Sequence, residues 1–69
     1  MLLLDKVKEA LEGATLPRED YIVAAEGSEG WVLVVFDHCI PGLEGRRALE
    51  RAGLDVVELD GWRAVKVRE

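Results

Sequence analysis

Trp31-Val32-Leu33-Val34-Val35-Phe36 is an unbroken apolar run, preceded by Gly30 and followed by Asp37-His38-Cys39-Ile40-Pro41-Gly42. So short a run of β-branched and aromatic residues, bounded by turn formers, reads as a strand buried on both faces and not as a helix. Such a strand needs a neighbour along each edge and a layer against each face. The rest of the chain has to supply them. The 69 residues make one domain, 1–69, and a chain of that size removes only about 60% of its unfolded-state surface from water. With a single cysteine no disulfide closes within the chain, and the spacing of a four-ligand zinc site is absent. Oligomerisation is then the usual supplement to so small a core.

Leu4, Val7 and Leu11 recur at helical spacing among Asp5, Lys8, Glu9 and Glu12, which predicts an amphipathic helix over 3–12 ending at Gly13. Thr15 to Asp20 is a polar connection broken by Pro17, and Tyr21 to Ala25 reads as a strand. Glu26-Gly27-Ser28-Glu29-Gly30 then forms a hairpin loop, and Trp31 to Asp37 is the return strand. A second helix is expected from Leu43 to Ala52, closed by Gly53 in a left-handed cap. Asp55 to Leu59 and Trp62 to Val67 flank Asp60-Gly61, a strong signal for a two-residue hairpin turn that sets Leu59 opposite Trp62 and Val56 opposite Val65.

The resulting αββαββ order predicts an α+β fold in which a four-stranded antiparallel or mixed sheet carries two helices on one face. Moving the last strand to the front gives βαββαβ, so the expected topology is a circularly permuted ferredoxin-like one. Numbered as they occur, the strands would run 3-4-2-1, with the fourth parallel to the second at the centre. The alternative order is 1-2-3-4, since Arg63 and Lys66 make the last strand less apolar than a central one should be.

Fourteen acidic and nine basic residues leave a net charge of −5. Residues 1–37 hold eight acids against three bases, and residues 38–69 hold six of each. That balance gives no general attraction for phosphate backbones or anionic lipid, so neither nucleic acid nor a membrane is expected as a partner. Arg46, Arg47 and Arg51 lie on the second helix beside Glu44 and Glu50 and read as an ion-paired, solvated face. No stretch approaches the ~20 apolar residues of a membrane span, and Met1-Leu2-Leu3-Leu4 lacks the flank and length of a signal peptide. A cytoplasmic location is expected. The absence of Asn and Gln, with heavy use of Leu, Val, Arg and Glu, is a thermophile-like composition.

Both alternating sets of strand residues are apolar: Trp31, Leu33 and Val35 against Val32, Val34 and Phe36, and Val57, Leu59, Trp62 and Ala64 against Val56, Val65 and Val67. A sheet with helices on one face and water on the other should alternate apolar with polar. The second apolar face therefore predicts an interface, and a two-fold homodimer is its simplest form. Trp31, Val32, Val34, Phe36, Val56, Val65 and Val67 are the candidate interface residues. Self-association, with a protein partner as a further expectation, is the predicted mode of action.

The one candidate ligand site is Asp37-His38-Cys39, where a strand ends and a helix begins. Backbone N–H groups and the positive helix end converge at such junctions, and a thiolate is favoured there. A strand-end cysteine followed by a helix and Gly53-Leu54-Asp55-Val56-Val57 is similar in layout to small soft-metal-binding ferredoxin-like domains, although those carry Cys-x-x-Cys and position 42 here is Gly. A soft metal or a thiol-linked ligand at Asp37, His38 and Cys39 is accordingly the alternative function, and no other cofactor is expected. A lone cysteine behind an apolar strand is otherwise a small buried hydrophobe. No catalytic set is legible: adjacent His38 and Cys39 point to opposite sides of an extended segment, and Ser28, the only serine, sits in the first hairpin loop. A small enzyme with its site at the junction is the second alternative.

Overall fold

The computed structural model describes residues 2–27 and 30–69. Ser28 and Glu29, expected at the tip of the first hairpin, lie outside the described residues. The elements follow as α1 (Leu3–Glu12), β1 (Tyr21–Glu26), β2 (Val32–Phe36), α2 (Cys39–Arg51), β3 (Asp55–Leu59) and β4 (Ala64–Arg68), with a short 3-10 turn at Arg18–Asp20 before β1. This is an α+β fold of two helices and a four-stranded sheet. The strands line up as β1-β2-β4-β3, which excludes the 1-2-3-4 alternative. Each neighbouring pair is antiparallel. The parallel pairing expected between β2 and β4 is thus corrected, for a chain that crosses over α2 into β3 and then reverses through a hairpin must bring β4 back against β2.

Both helices cover one face of the sheet. The core beneath them is formed by Leu3, Val7 and Leu11 of α1, Leu49 of α2, Val32, Val34 and Phe36 of β2, Val65 and Val67 of β4, and Leu54. In α1 the buried stripe begins at Leu3, while Leu4 is only half-buried. Cross-strand register joins the sheet's share of this core, since Val34 pairs with Val23 on one side and Val65 on the other, and Val67 pairs with Val32 and Val56. Period-two alternation then places Ile22, Leu33, Val35, Val57, Leu59 and Ala64 on the opposite face.

α2 starts four residues before the helix expected from Leu43, with His38 as its N-cap and Pro41-Gly42 inside its first turn. Proline is tolerated there because the first N–H groups of a helix have no intrahelical acceptor. The end of α2 is as expected: Gly53 has φ +81°, and the N–H groups of Leu54 and Gly53 donate to the carbonyls of Leu49 and Glu50 at 3.1 and 3.0 Å. Those two bonds are a Schellman cap, and buried Leu54 supplies its apolar contact with Leu49.

Pro41, Gly42, Gly45 and Leu49 are the buried residues of α2, so two of the four positions in its covered stripe have no side chain. A Cβ at Gly42 would stand 1.7 Å from the carbonyl oxygen of Trp62, and one at Gly45 2.5 Å from Cζ of Phe36. The helix backbone rests directly on the Phe36 ring and on the loop between β3 and β4. Two glycines inside a helix each cost about 1 kcal/mol of helix propensity, and this close approach is what they make possible.

The same contact explains why the last hairpin departs from its expected register. Leu59 pairs with Ala64, Glu58 with Val65 and Val56 with Val67, two residues away from the pairing that a two-residue Asp60-Gly61 turn would impose. Asp60, Gly61 and Trp62 all have positive φ, at 51°, 62° and 71°, and the loop runs from 60 to 63. That conformation turns Trp62 away from Val57, Leu59 and Ala64, with which the sequence had grouped it, and packs it half-buried against the core. Its ring lies 4.9 Å beneath the Arg46 guanidinium of α2. A shift of two preserves the side-chain parity, so the other strand residues keep their expected partners in face.

Gly42→Ala and Gly45→Ala should therefore destabilise the fold even though alanine is the better helix former. Overpacking of this kind costs about 1–3 kcal/mol, more for Gly42 because a backbone carbonyl must move. Thermal denaturation against Glu44→Ala, an exposed neighbour in the same helix, checks this: both glycine variants should melt well below it.

Candidate functional site

One face of the sheet, the open face, is left unpartnered by the two helices. Ile22 is 69% exposed, and Leu33, Val35 and Val57 are 39%, 41% and 39% exposed. Following the register across the sheet, Ile22, Val35, Ala64 and Leu59 form one row, and Leu33, Lys66 and Val57 form the next. Trp31, which precedes β2, follows in the direction of Arg68 and Asp55. There the Lys66 ammonium and the Arg68 guanidinium each lie 4.6 Å from the centroid of the Trp31 ring. Arg68 Nε also donates to Asp55 Oδ2 at 3.4 Å.

The interface set read from the sequence is corrected on this point. Val32, Val34, Val65 and Val67 are wholly buried beneath the helices, Phe36 is nearly so, and Val56 is half-buried on the same side; of the seven, Trp31 alone belongs to the open face. Trp62 apart, the two alternating sets had been separated correctly, and the helix layer covers the opposite one from that expected. Ile22, Leu33, Val35 and Val57 were missed. β4 carried the signal that identifies them, because Val65 and Val67 alternate with Lys66 and Arg68, and only the purely apolar set can lie under a helix.

At the other end of the open face the backbone N–H of Asp37 donates to the carbonyl of Asp20 at 2.8 Å, holding the end of β2 against the turn before β1. A hollow of about 220 Å³ opens there, lined by Glu19, Asp20, Ile22, Val35 and Asp37 among others. Along β2 the open face therefore grades from a cationic, aromatic end at Trp31 to an acidic end at Asp37.

Asp37, His38 and Cys39 are all exposed. His38 is the N-cap of α2 with extended backbone and no side-chain capping bond, and Cys39 is the first helical residue, a free exposed thiol. The reading of Cys39 as a small buried hydrophobe is corrected, because α2 begins at Cys39 and turns it outward while Pro41 and Gly42 face inward. Among the described residues no group of three or more His, Cys, Asp and Glu side chains is arranged to hold a metal ion. A second, larger groove of about 400 Å³ runs between the two helices, lined by Glu9, Ala10, Ala14, Glu44, Arg47 and Arg51 among others. It mixes both charges on exposed side chains. Arg46 pairs with Glu50 one turn later in α2 at 3.3 Å, and no helix among the described residues is long and apolar enough to cross a membrane.

No protein-family model matches the chain, and no curated protein or solved structure is detectably similar to it.

From this exposure, Cys39 should react with one equivalent of a thiol reagent in the native protein, without denaturant. Cys39→Ser should change stability by no more than about 0.5 kcal/mol, as for an ordinary surface position. Protection from the reagent until the protein unfolds would contradict the exposed placement.

Proposed function

We propose that this chain acts by self-association, as a homodimer closed through the open face of its sheet. The observation that carries the reading is the set of large apolar side chains, Ile22, Leu33, Val35 and Val57, that stand exposed together on the face opposite the helices. A small monomer gains no stability from leaving such a row in water, whereas stacking two copies removes it from water at roughly 25 cal/mol per Å² of apolar surface. The second copy completes a four-layer helix-sheet-sheet-helix assembly, with the sheets about 10 Å apart. A dimer of this kind is a scaffold, and its remaining surface, acidic in balance, is free for a protein partner.

The strand order and two-helix layer support the finer fold reading of a circularly permuted ferredoxin-like topology, in which β4 takes the place of the usual first strand. A cytoplasmic location fits the free surface thiol, which a reducing compartment preserves. A second reading, thiol-linked ligand binding at Cys39, draws support from its exposure at the start of α2. A soft metal would need ligands from another chain beside His38 and Cys39.

Sedimentation equilibrium at micromolar concentration should give a species of twice the 7.7 kDa chain mass. Ile22→Lys with Val57→Lys should convert it to a folded monomer with unchanged far-UV circular dichroism. In contrast, Val34→Asp or Val65→Asp should unfold the chain, because each places a carboxylate in the core at a cost of several kcal/mol, comparable with the whole stability of a small domain. A wild-type chain that sediments only at 7.7 kDa would overturn the reading.

A further inference from the structure

We infer that the two copies stack with their strands antiparallel, so that Lys66 and Arg68 of each copy meet the acidic hollow at Asp20 and Asp37 of the other. This rests on the self-association proposed above and adds to it the orientation and the residues that set it.

The argument begins from the distribution of charge along the open face. Its middle is apolar, formed by Ile22, Leu33, Val35, Val57 and Leu59, and its two ends differ in sign. At one end the Lys66 ammonium, reaching out from the row of Leu33 and Val57, and the Arg68 guanidinium stack on Trp31. Arg68 also pairs with Asp55, so two cations face one carboxylate there. At the other, Glu19, Asp20 and Asp37 surround the hollow beside Ile22 and Val35, and neither lysine nor arginine contributes to its lining. Among the described residues none of these three carboxylates makes an ion pair. Trp31 and Asp37 are six residues apart along β2, about 20 Å at the rise of a strand.

Two copies that meet face to face are related by a two-fold axis lying between the sheets. An axis along the strands superposes like ends, bringing the acidic end of one copy over the acidic end of the other and the cationic end over the cationic end. An axis across the strands reverses one copy and sets the acidic end of each over the cationic end of the other. Both axes bury the same apolar middle, so burial does not choose between them. Charge does, because like charges opposed at an interface are penalised and opposite ones draw the partners into register. The antiparallel stack contains the complementary contact twice, once at each end. Trp31 holds Lys66 and Arg68 at the face of the sheet instead of leaving them free in solvent, which reduces the side-chain freedom lost when they enter the hollow.

Charge reversal measured by sedimentation equilibrium separates the possibilities. Asp37→Lys and Lys66→Glu lie at exposed and half-exposed positions, and circular dichroism should report the wild-type fold for each. In the antiparallel stack each variant alone weakens its own dimer at least about tenfold, since the reversed contact occurs twice. Mixing the two variants restores association, because in the mixed dimer the introduced lysine of one chain faces the introduced glutamate of the other, and at the opposite end the native Asp37 faces the native Lys66. Equal dissociation constants for wild type and both variants would overturn the antiparallel orientation while leaving the dimer standing. A mixture no tighter than the separate variants would do the same. A wild-type chain that never dimerises would remove the self-association reading itself, and this inference with it. Asp20→Lys, which alters the same hollow from the turn before β1, serves as a second variant should Asp37→Lys disturb the fold, and it is expected to weaken the dimer in the same sense.

Discussion

The contact of α2 with the sheet through Gly42 and Gly45 is what the remaining structure depends on. With no side chain at either position, the helix backbone comes down onto the Phe36 ring and onto the Trp62 carbonyl, and that approach fixes three things together. It seals one face of the sheet over Val34 and Val65, it dictates the positive-φ loop from Asp60 to Trp62, and it directs Cys39 and His38 outward at the start of the helix. A helix held away by ordinary side chains would leave the Phe36 ring partly exposed and would allow the shorter turn that Asp60-Gly61 favours by itself. Local preference yields here to a tertiary contact.

With both helices committed to one face, no helix among the described residues covers the other. α1 and α2 together bury Leu3, Val7, Leu11 and Leu49 against β2 and β4, and the cross-strand neighbours on the far side stay in water. Ion pairs do little to change this balance. Arg18 with Glu12 and Arg68 with Asp55 lie at 3.4 Å between exposed side chains, in the class that contributes at most about 1 kcal/mol. Lys6 on α1 also pairs with Glu69, beyond β4; its hydrogen bond, and then its charge, hold the Glu69 carboxyl below the ordinary glutamate range. Since the folded state favours the ionised form, that tie is present above the ordinary glutamate pKa and is lost as the pH falls through the depressed one. The open face is thus where the proposed second copy would dock, adding apolar area in the middle and charge at the ends.

Much of the fold was legible because hydrophobic period and punctuation are local properties. The stripe Val7-Leu11, the run Val32 to Phe36, the Gly53 cap and the alternation Val65-Lys66-Val67-Arg68 each identify an element without reference to anything distant. What failed to read correctly was set by contacts between distant residues. Pro41-Gly42 looks like a helix boundary and is instead the first turn of α2, because Gly42, with no side chain, meets the Trp62 carbonyl twenty residues later. The covered face was misassigned because Trp31-Leu33-Val35 and Val32-Val34-Phe36 are equally apolar, and β2 by itself holds no information about which side the helices take. Lys66 and Arg68 on the neighbouring strand did hold it, and carrying it across to β2 takes the antiparallel register that sets Lys66 beside Leu33 and Val65 beside Val34. As for the candidate site, the junction at Asp37 was visible, while its contribution to a hollow shared with Glu19 and Asp20 depends on the pairing of β1 with β2.

The central claim is that one apolar face is sealed by α2 and the other by a second copy of the chain. Isotope-filtered nuclear Overhauser spectroscopy on a mixture of labelled and unlabelled protein tests it most directly, since it reports only contacts between chains. The account predicts intermolecular contacts at the methyl groups of Ile22, Leu33, Val35, Val57 and Leu59, and none at Val32, Val34, Val65 or Val67. Intermolecular contacts confined to α1 and α2, or no such contacts at millimolar concentration, would contradict it.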